Sequence, residues 1–231
     1  MNIALILSGG TGVRLGNDIP KQYIEVGGTP IISYCLQVFA GHPQIDAIHI
    51  VADGDWHTRI MDLVTELGAE SKFRGFSGPG VNRQLSILNG LEDIRKYAGG
   101  EDVVLIHDAA RPLLKDRQID NCLSGIVGHD GVMPVLPMKD TVYYSEDAAA
   151  VTRLLERSCV FAGQAPEAFY LKRYYEANQS LLPDQILSIH GSTEPAIMAG
   201  LDVAMIPGDE GNFKITTPED LVRFRELVHA K

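Results

Sequence analysis

The chain opens on Ile3-Ala4-Leu5-Ile6-Leu7 and runs at once into Ser8-Gly9-Gly10-Thr11-Gly12-Val13-Arg14-Leu15-Gly16. Five consecutive apolar residues that stop at glycine read as a short strand buried on both faces. Such strands belong to parallel sheets covered by helices on each side. A glycine-rich turn at the carboxyl end of such a strand lets backbone N–H groups approach a phosphate closely. Spacing excludes two familiar versions of that turn. A P-loop needs a Gly-Lys-Ser/Thr ending, which is absent, and a G-x-G-x-x-G fingerprint fails because Gly10, Gly12 and Gly16 leave one residue too many. What remains is a glycine loop followed by two cations, Arg14 and the lysine of Pro20-Lys21-Gln22. Taken alone, the glycines read equally well as a tight strand-to-helix turn with surface cations.

Strand and helix patterns alternate downstream. Ile45 to Val51, Phe73 to Phe76, Val103 to Ile106 and Val132 to Leu136 read as strands. Pro30 to Phe39, Trp56 to Leu67, Asn82 to Tyr97, Ala168 to Ala177 and Pro218 to His229 read as helices. The alternation predicts an α/β fold, a Rossmann-like three-layer sandwich with a mostly parallel central sheet. It breaks between residues 138 and 163, where Asp140 to Tyr144 and Val151 to Leu155 flank the polar tip Ser145-Glu146-Asp147. That pattern predicts a projecting β-hairpin arm. No linker rich in glycine, serine or proline interrupts the chain, so residues 1–231 read as a single domain carrying the arm at 138–163.

The 231 residues carry 20 Lys+Arg against 30 Asp+Glu, a formal net charge of −10. An acidic balance argues against sequence-independent nucleic-acid binding, which depends on a basic face. It leaves room for one small anion, because a site feels its near charges most. No apolar run is long enough to span a bilayer, and the amino terminus lacks the basic flank of a signal peptide. Three scattered cysteines, Cys35, Cys122 and Cys159, form neither a zinc pattern nor a disulfide framework. The expected setting is a reducing cytoplasm, with no membrane and no nucleic acid as partner.

Asp108 follows the strongest central strand, at the carboxyl edge where open parallel sheets bind ligands. One hard carboxylate there suits Mg²⁺ or another divalent cation, which leans on substrate phosphates rather than a full protein cage. The competing reading makes Asp108 a turn residue paired with Arg111 at the surface. Lys214 lies in Asn212-Phe213-Lys214-Ile215-Thr216, between apolar neighbours, where an ammonium is costly unless it meets an anion.

The ordered set Gly9-Gly10-Thr11-Gly12-Val13-Arg14, Pro20-Lys21-Gln22, Asn82-Arg83 with Ser86, His107-Asp108-Ala109-Ala110-Arg111-Pro112, Lys139-Asp140-Thr141, Glu156-Arg157, Gly163-Gln164-Ala165-Pro166 and Asn212-Phe213-Lys214-Ile215-Thr216 resembles the signature of cytidylyltransferases acting on sugar-alcohol phosphates. These are the 2-C-methyl-D-erythritol 4-phosphate and ribitol 5-phosphate enzymes, of the nucleotide-diphospho-sugar transferase fold. The resemblance implies a CTP-dependent enzyme that releases pyrophosphate, assisted by Mg²⁺. It implies catalytic roles for Arg14, Lys21 and Lys214. Leu7, Ser8, Gly9, Gly10, Gly12, Gly80, Arg83 and Ser86 would bind the nucleotide. Arg111, Thr141 and Arg157 would bind the acceptor phosphate, the last two reaching into a partner subunit through the arm of a homodimer. Asp108 and Asn212 would face the metal. Ser192-Thr193-Glu194-Pro195 stands where the methylerythritol enzymes commonly show Thr-Asp. Gly54-Asp55-Trp56 and Ile215-Thr216-Thr217 resemble the ribitol type instead, and Asp108-Ala109-Ala110-Arg111-Pro112 the methylerythritol type. The readings that compete with this one are a nucleotidyltransferase of the same fold using another nucleotide with a hexose phosphate, and an inert nucleotide-binding module.

Overall fold

The computed structural model describes residues 1–10 and 19–230. Gly12 and Arg14 therefore lie outside the described residues. In chain order the elements are β1 (Asn2–Leu7), β2 (Glu25–Val26), β3 (Thr29–Pro30), α1 (Ile31–Gly41), β4 (Ala47–Val51), α2 (His57–Glu66), β5 (Phe73–Ser77), α3 (Arg83–Ile94), β6 (Val103–Asp108), α4 (Asp116–Gly125) and β7 (Gly131–Pro137). After these come β8 (Tyr143–Tyr144), β9 (Arg153–Leu154), β10 (Phe161–Gly163), β11 (Glu167–Tyr170), α5 (Leu171–Gln179), α6 (Glu194–Met198), β12 (Val203–Pro207) and α7 (Pro218–His229).

β1 lies at the centre of the main sheet, parallel to β4 on one side and β6 on the other, with β5 parallel beyond β4. The chain thus builds outward from β1 through β4 and β5, then returns to β1's opposite flank with β6. The strand order thus reverses between β1 and β6, the switch point at whose carboxyl ends open sheets of this kind form a ligand crevice. Beyond β6 the sheet turns mixed. β11 is antiparallel to both β6 and β7, β10 is antiparallel to β7, and β12 is parallel to β7.

Strand alternation sorts the core into two layers. Ala4 and Ile6 of β1, with Ile48, Ile50 and Leu105, pack against Ile32, Leu36 and Phe39 of α1, Ile60 of α2 and Ile119 of α4. Ile3 and Leu5, with Val51, Val104, Ile106 and Phe169, pack on the other face against Ile87, Leu91 and Ile94 of α3 and Tyr174 of α5. Each fully buried Ile, Leu, Val or Phe among them contributes about 1.5–3 kcal/mol relative to exposure. Ile106 faces α3, so Asp108, two residues on in the same strand, faces α3 as well. A smaller cluster (Val26, Ile31, Ile215, Leu221 and Phe224) seats α7 beside the Lys214 segment. Its helix starts with a capping box in which the Thr217 hydroxyl accepts from Asp220 N.

One expected helix is corrected. The run Ala168 to Ala177 is not helical from its start: Glu167–Tyr170 forms β11, and the helix begins only at Leu171. Backbone pairing with β6 on one side and β7 on the other claims the first residues, a tertiary demand that side-chain periodicity does not report. The arm is a hairpin as expected, with Tyr143 opposite Leu154 and Tyr144 opposite Arg153. Among the described residues no helix is long and apolar enough to cross a membrane.

Candidate active site

The crevice between β1 and β6 is furnished from four separate stretches. The first is the start of the glycine loop. Ser8 N donates to Val51 O at 2.8 Å, which extends β1 by one residue. Gln22 is buried, and its Nε2 donates to Ser8 O at 2.6 Å and to Gly10 O at 2.8 Å. The Ser8 hydroxyl donates to Tyr23 Oη at 2.8 Å, and Tyr23 stacks on Trp56 with ring centroids 3.9 Å apart. Burial, outweighing its hydrogen bonds, pushes the Tyr23 phenol up to about 12, so it stays neutral. The Gly54-Asp55-Trp56 turn thereby buttresses the glycine loop.

The second stretch is Ser77 to Ser86. Asn82 caps α3, its side chain accepting from Leu85 N at 2.8 Å, which puts Arg83 at the first helical position. Ser86 Oγ accepts from Gly80 N at 3.0 Å and donates to Asn82 O at 2.9 Å. Its hydroxyl therefore helps to shape the loop. A Cβ at Gly80 would stand 2.8 Å from the backbone of Leu85 and Ser86, and one at Gly9 would stand 2.5 Å from Pro79 Cβ. Both positions need glycine, and the second contact shows that the two loops expected to hold the nucleotide meet each other.

Asp108 is where the stretches converge. Arg83 Nε lies 3.2 Å from its Oδ1, while Arg111 Nε at 3.3 Å and Lys214 Nζ at 3.1 Å share its Oδ2. Burial alone would raise this carboxyl. Arg83, then Lys214 and Arg111, overrule burial and hold it well below the usual carboxylate range. Arg111 also donates through Nη1 to Asn212 O at 2.8 Å, and Lys21 Nζ donates to Ile215 O at 2.8 Å. Lys21 and Lys214 thus approach the crevice on one strip of chain. His107 points to the other face, where burial lowers it to about 4 and its Nε2 meets Arg111 O at 3.1 Å. It is a prop for the loop and poorly placed as a base.

The residues expected to face a metal present hard oxygens. Asp108 offers a carboxylate at the sheet edge. Asn212 Nδ2 is committed to Ala165 O at 2.7 Å, leaving its buried Oδ1 without a partner. Among the described residues no three His, Cys, Asp or Glu side chains converge. The donor set therefore fits a hard divalent cation that takes most of its ligands from substrate phosphates and water.

The arm residues stand apart. Arg157 is exposed and donates to Lys139 O at 2.9 Å, and Thr141 is exposed, with neither bonded to the Asp108 cluster among the described residues. Glu194 does not point into the crevice either, because its carboxylate accepts from His190 N at 2.9 Å and Gly191 N at 3.3 Å. Two residues without an assigned role emerge as part of the site, Gln22 and Glu167. Glu167 is buried in β11 on the Asp108 face of the sheet. Its signal was the one that singled out Lys214, a charge set among apolar neighbours.

The family model described as 2-C-methyl-D-erythritol 4-phosphate cytidylyltransferase matches residues 2–229. The chain belongs to this family. It is a nucleotidyltransferase. A 2-C-methyl-D-erythritol 4-phosphate cytidylyltransferase from Geobacter metallireducens is 34% identical, the match covering 99% of this chain and 97% of the relative. A ribitol-5-phosphate cytidylyltransferase from Streptococcus agalactiae is 30% identical over 100% of this chain and 97% of its own. The fold is that of the crystal structure of 4-diphosphocytidyl-2C-methyl-D-erythritol synthase from Anaerococcus prevotii, with TM-score 0.84 and 24% identity over 99% of this chain and 96% of that one.

Proposed function

We propose that this cytidylyltransferase-family chain condenses CTP with a sugar-alcohol phosphate, giving a CDP-polyol and pyrophosphate. The two acceptors named by its relatives, 2-C-methyl-D-erythritol 4-phosphate and ribitol 5-phosphate, are the candidates. The observation that carries the reading is the surplus of positive charge around Asp108. Three cations share one carboxylate, with Lys21 anchored beside them, in a chain whose net charge is −10. Such a cluster is an anion receptor at a sheet edge where nucleotides bind.

The chemistry asks little of a base. A phosphate monoester is largely a dianion near neutrality, its second pKa being about 6, so its oxygen attacks the α-phosphorus of CTP without proton removal. The difficulty is holding two polyanions in line and stabilising the charge that develops on the transferring group. Lys21 and Lys214 sit on adjoining chain and neutralise that group, with Arg14 as a third cation outside the described residues. Arg83 and the backbone N–H groups of Gly9 and Gly10 hold the triphosphate, while the adjoining 78–80 loop reads base and ribose. Arg111 takes the acceptor phosphate. Asp108, with Asn212 behind it, would hold Mg²⁺ or another divalent cation, which supplies further charge neutralisation on the phosphates.

The arm completes the site as a homodimer contact. Tyr143, Val151 and Leu154 are each 60% or more exposed in one copy, an apolar surface that a second subunit would cover. Arg157 and Thr141 then reach the acceptor in the partner's crevice. The test is pyrophosphate release with Mg²⁺, each of the four nucleoside triphosphates and each polyol phosphate. Release with CTP and one of the two acceptors is expected. Silence with both, or a preference for another nucleotide, overturns the reading.

A further inference from the structure

The stretch Gly163-Gln164-Ala165-Pro166 has no role in the chemistry given above. Gln164 is 6% exposed and directly follows β10, whose last residue, Gly163, pairs with Val135 of β7. Pro207, the last residue of β12, pairs with the same Val135 from the other edge. The Gln164 side chain crosses β7 and meets the chain where it leaves β12. There its Nε2 donates to Asp209 O at 3.0 Å, and its Oε1 accepts from Asp209 N at 2.9 Å. One side-chain amide thus engages both backbone groups of a single residue, as a facing residue does in an antiparallel ladder. Gly208 makes room for it, since a Cβ there would stand 2.4 Å from Gln164 Oε1 and 3.1 Å from Val135 O.

The turn after Asp209 is tied to the same place. Asn212 N donates to Asp209 O at 2.9 Å, and the buried Asn212 side chain donates through Nδ2 to Ala165 O at 2.7 Å. The Asp209 carboxylate accepts from Gly211 N at 2.8 Å and pairs with Lys115 at 2.8 Å. Two residues beyond the turn Lys214 meets Asp108, and Ile215 O receives Lys21 Nζ. The far end of this strip is fastened by Ile215, whose N donates to Ala110 O at 2.9 Å and whose side chain is buried against α7. Its near end is fastened to Gln164 and Ala165.

We propose that Gln164 is a positioning residue for the transfer reaction: its amide fixes the turn from Asp209 to Asn212 and so sets where Lys214 meets the reacting phosphates. The proposal rests on the function given above, in which Lys214 neutralises the transferring group. Gln164 itself touches no reacting group. Removing its amide frees the near end of the strip while Ile215 keeps the far end seated, so the displacement falls on Lys214. A misplacement of about 1 Å at a reacting centre costs on the order of 10²-fold in rate.

Steady-state pyrophosphate release by the wild type, Gln164→Met, Lys214→Ala and the double variant tests it, alongside amide hydrogen exchange of the ligand-free proteins. Gln164→Met keeps the length of the side chain and removes both hydrogen bonds. It should lower kcat about tenfold, change the KM for CTP less than twofold and retain cooperative thermal unfolding. Exchange across residues 209–216 should quicken about fivefold or more, with α3 unaltered. In the Lys214→Ala background the same change should alter kcat less than twofold, because residues acting through one another fail to add. A purely structural role would give equal fold losses in both backgrounds. Gly208→Ala disturbs the clasp from the other side without touching the amide and should lower kcat about fivefold; it decides the matter if Gln164→Met does not fold. Unchanged kcat in the folded variants, equal losses with and without Lys214, or unaltered exchange across 209–216 overturns the role of Gln164 and leaves the cytidylyltransferase reading intact. A wild type that releases no pyrophosphate overturns both.

Discussion

The ammonium of Lys214 lies 3.1 Å from Oδ2 of Asp108, which ties the segment before α7 to the end of a central strand. Neither residue is near the other in sequence, and their meeting is what turns a sheet edge into a charged site. Lys214 is about one-third exposed on its side chain, so it is reachable by an anion while remaining fixed by its partner.

Lys214→Ala should lower kcat about 10²–10³-fold, the usual cost of losing one preorganised charge at a reacting centre. Lys21→Ala should do the same. Asp108 keeps Arg83 and Arg111 in the first variant, so circular dichroism and the melting temperature should stay close to wild type. Near-normal turnover in either variant removes that lysine from the mechanism.

Asp108→Asn leaves three cations facing a neutral amide. Breaking a buried pair costs several kcal/mol; with Arg83 and Lys214 about a third exposed, screening reduces this to about 2 kcal/mol. The folded-state pKa of Asp108 lies below its ordinary value of 3.8. Its stabilisation is therefore fully present above about pH 4 and drains away as pH falls toward the depressed value. Denaturant unfolding of both proteins from pH 7 to pH 2 checks this. The gap between them should be constant down to about pH 4 and narrow below it, whereas a gap that is flat throughout contradicts the assignment.

Gln22→Ala removes the Nε2 donor to the carbonyls of Ser8 and Gly10, leaving Ser8 O with the Tyr23 hydroxyl at 3.2 Å. Losing these two hydrogen bonds costs about 0.5–1.5 kcal/mol each. The loss should appear as a lower melting temperature together with a raised KM for CTP and an unaffected KM for the acceptor. Equal effects on both KM values would show that Gln22 supports the fold generally.

Arg157→Ala should raise the acceptor KM about tenfold and leave the KM for CTP alone. Leu154→Glu on the apolar arm face should convert a dimer into a monomer by sedimentation velocity, with acceptor saturation weakened in parallel. A wild type that sediments as a monomer at assay concentration refutes the shared site.

Much of this architecture was legible in the residues. Ile3 to Leu7 and Val103 to Ile106 are unbroken apolar runs, and both are central strands buried on each face. Asn82 and Pro218 mark helix starts through local capping chemistry, which sequence reports directly. β11 escaped because Ala168-Phe169-Tyr170 fits either period, and only the neighbouring strands decide it. β12 and α4 were not anticipated either. Within the site, Asp108 and Lys214 stood out as charges beside apolar runs. Gln22 shows no signal of its own beyond the Pro20-Lys21-Gln22 motif, because a neutral side chain turned toward two carbonyls leaves no pattern. Glu167 is a charge among apolar neighbours, but its partner, the Ser192 hydroxyl, is distant in sequence.

The central claim is that the cations gathered at Asp108 receive the nucleotide's phosphates. A crystal structure with CTP and Mg²⁺ tests it most directly. The account predicts the triphosphate against Lys21, Arg83 and Lys214, the cation on Asp108, and the base in the turn formed by residues 78–80. A triphosphate bound elsewhere, with the Arg83, Arg111 and Lys214 pairs to Asp108 undisturbed, would contradict it.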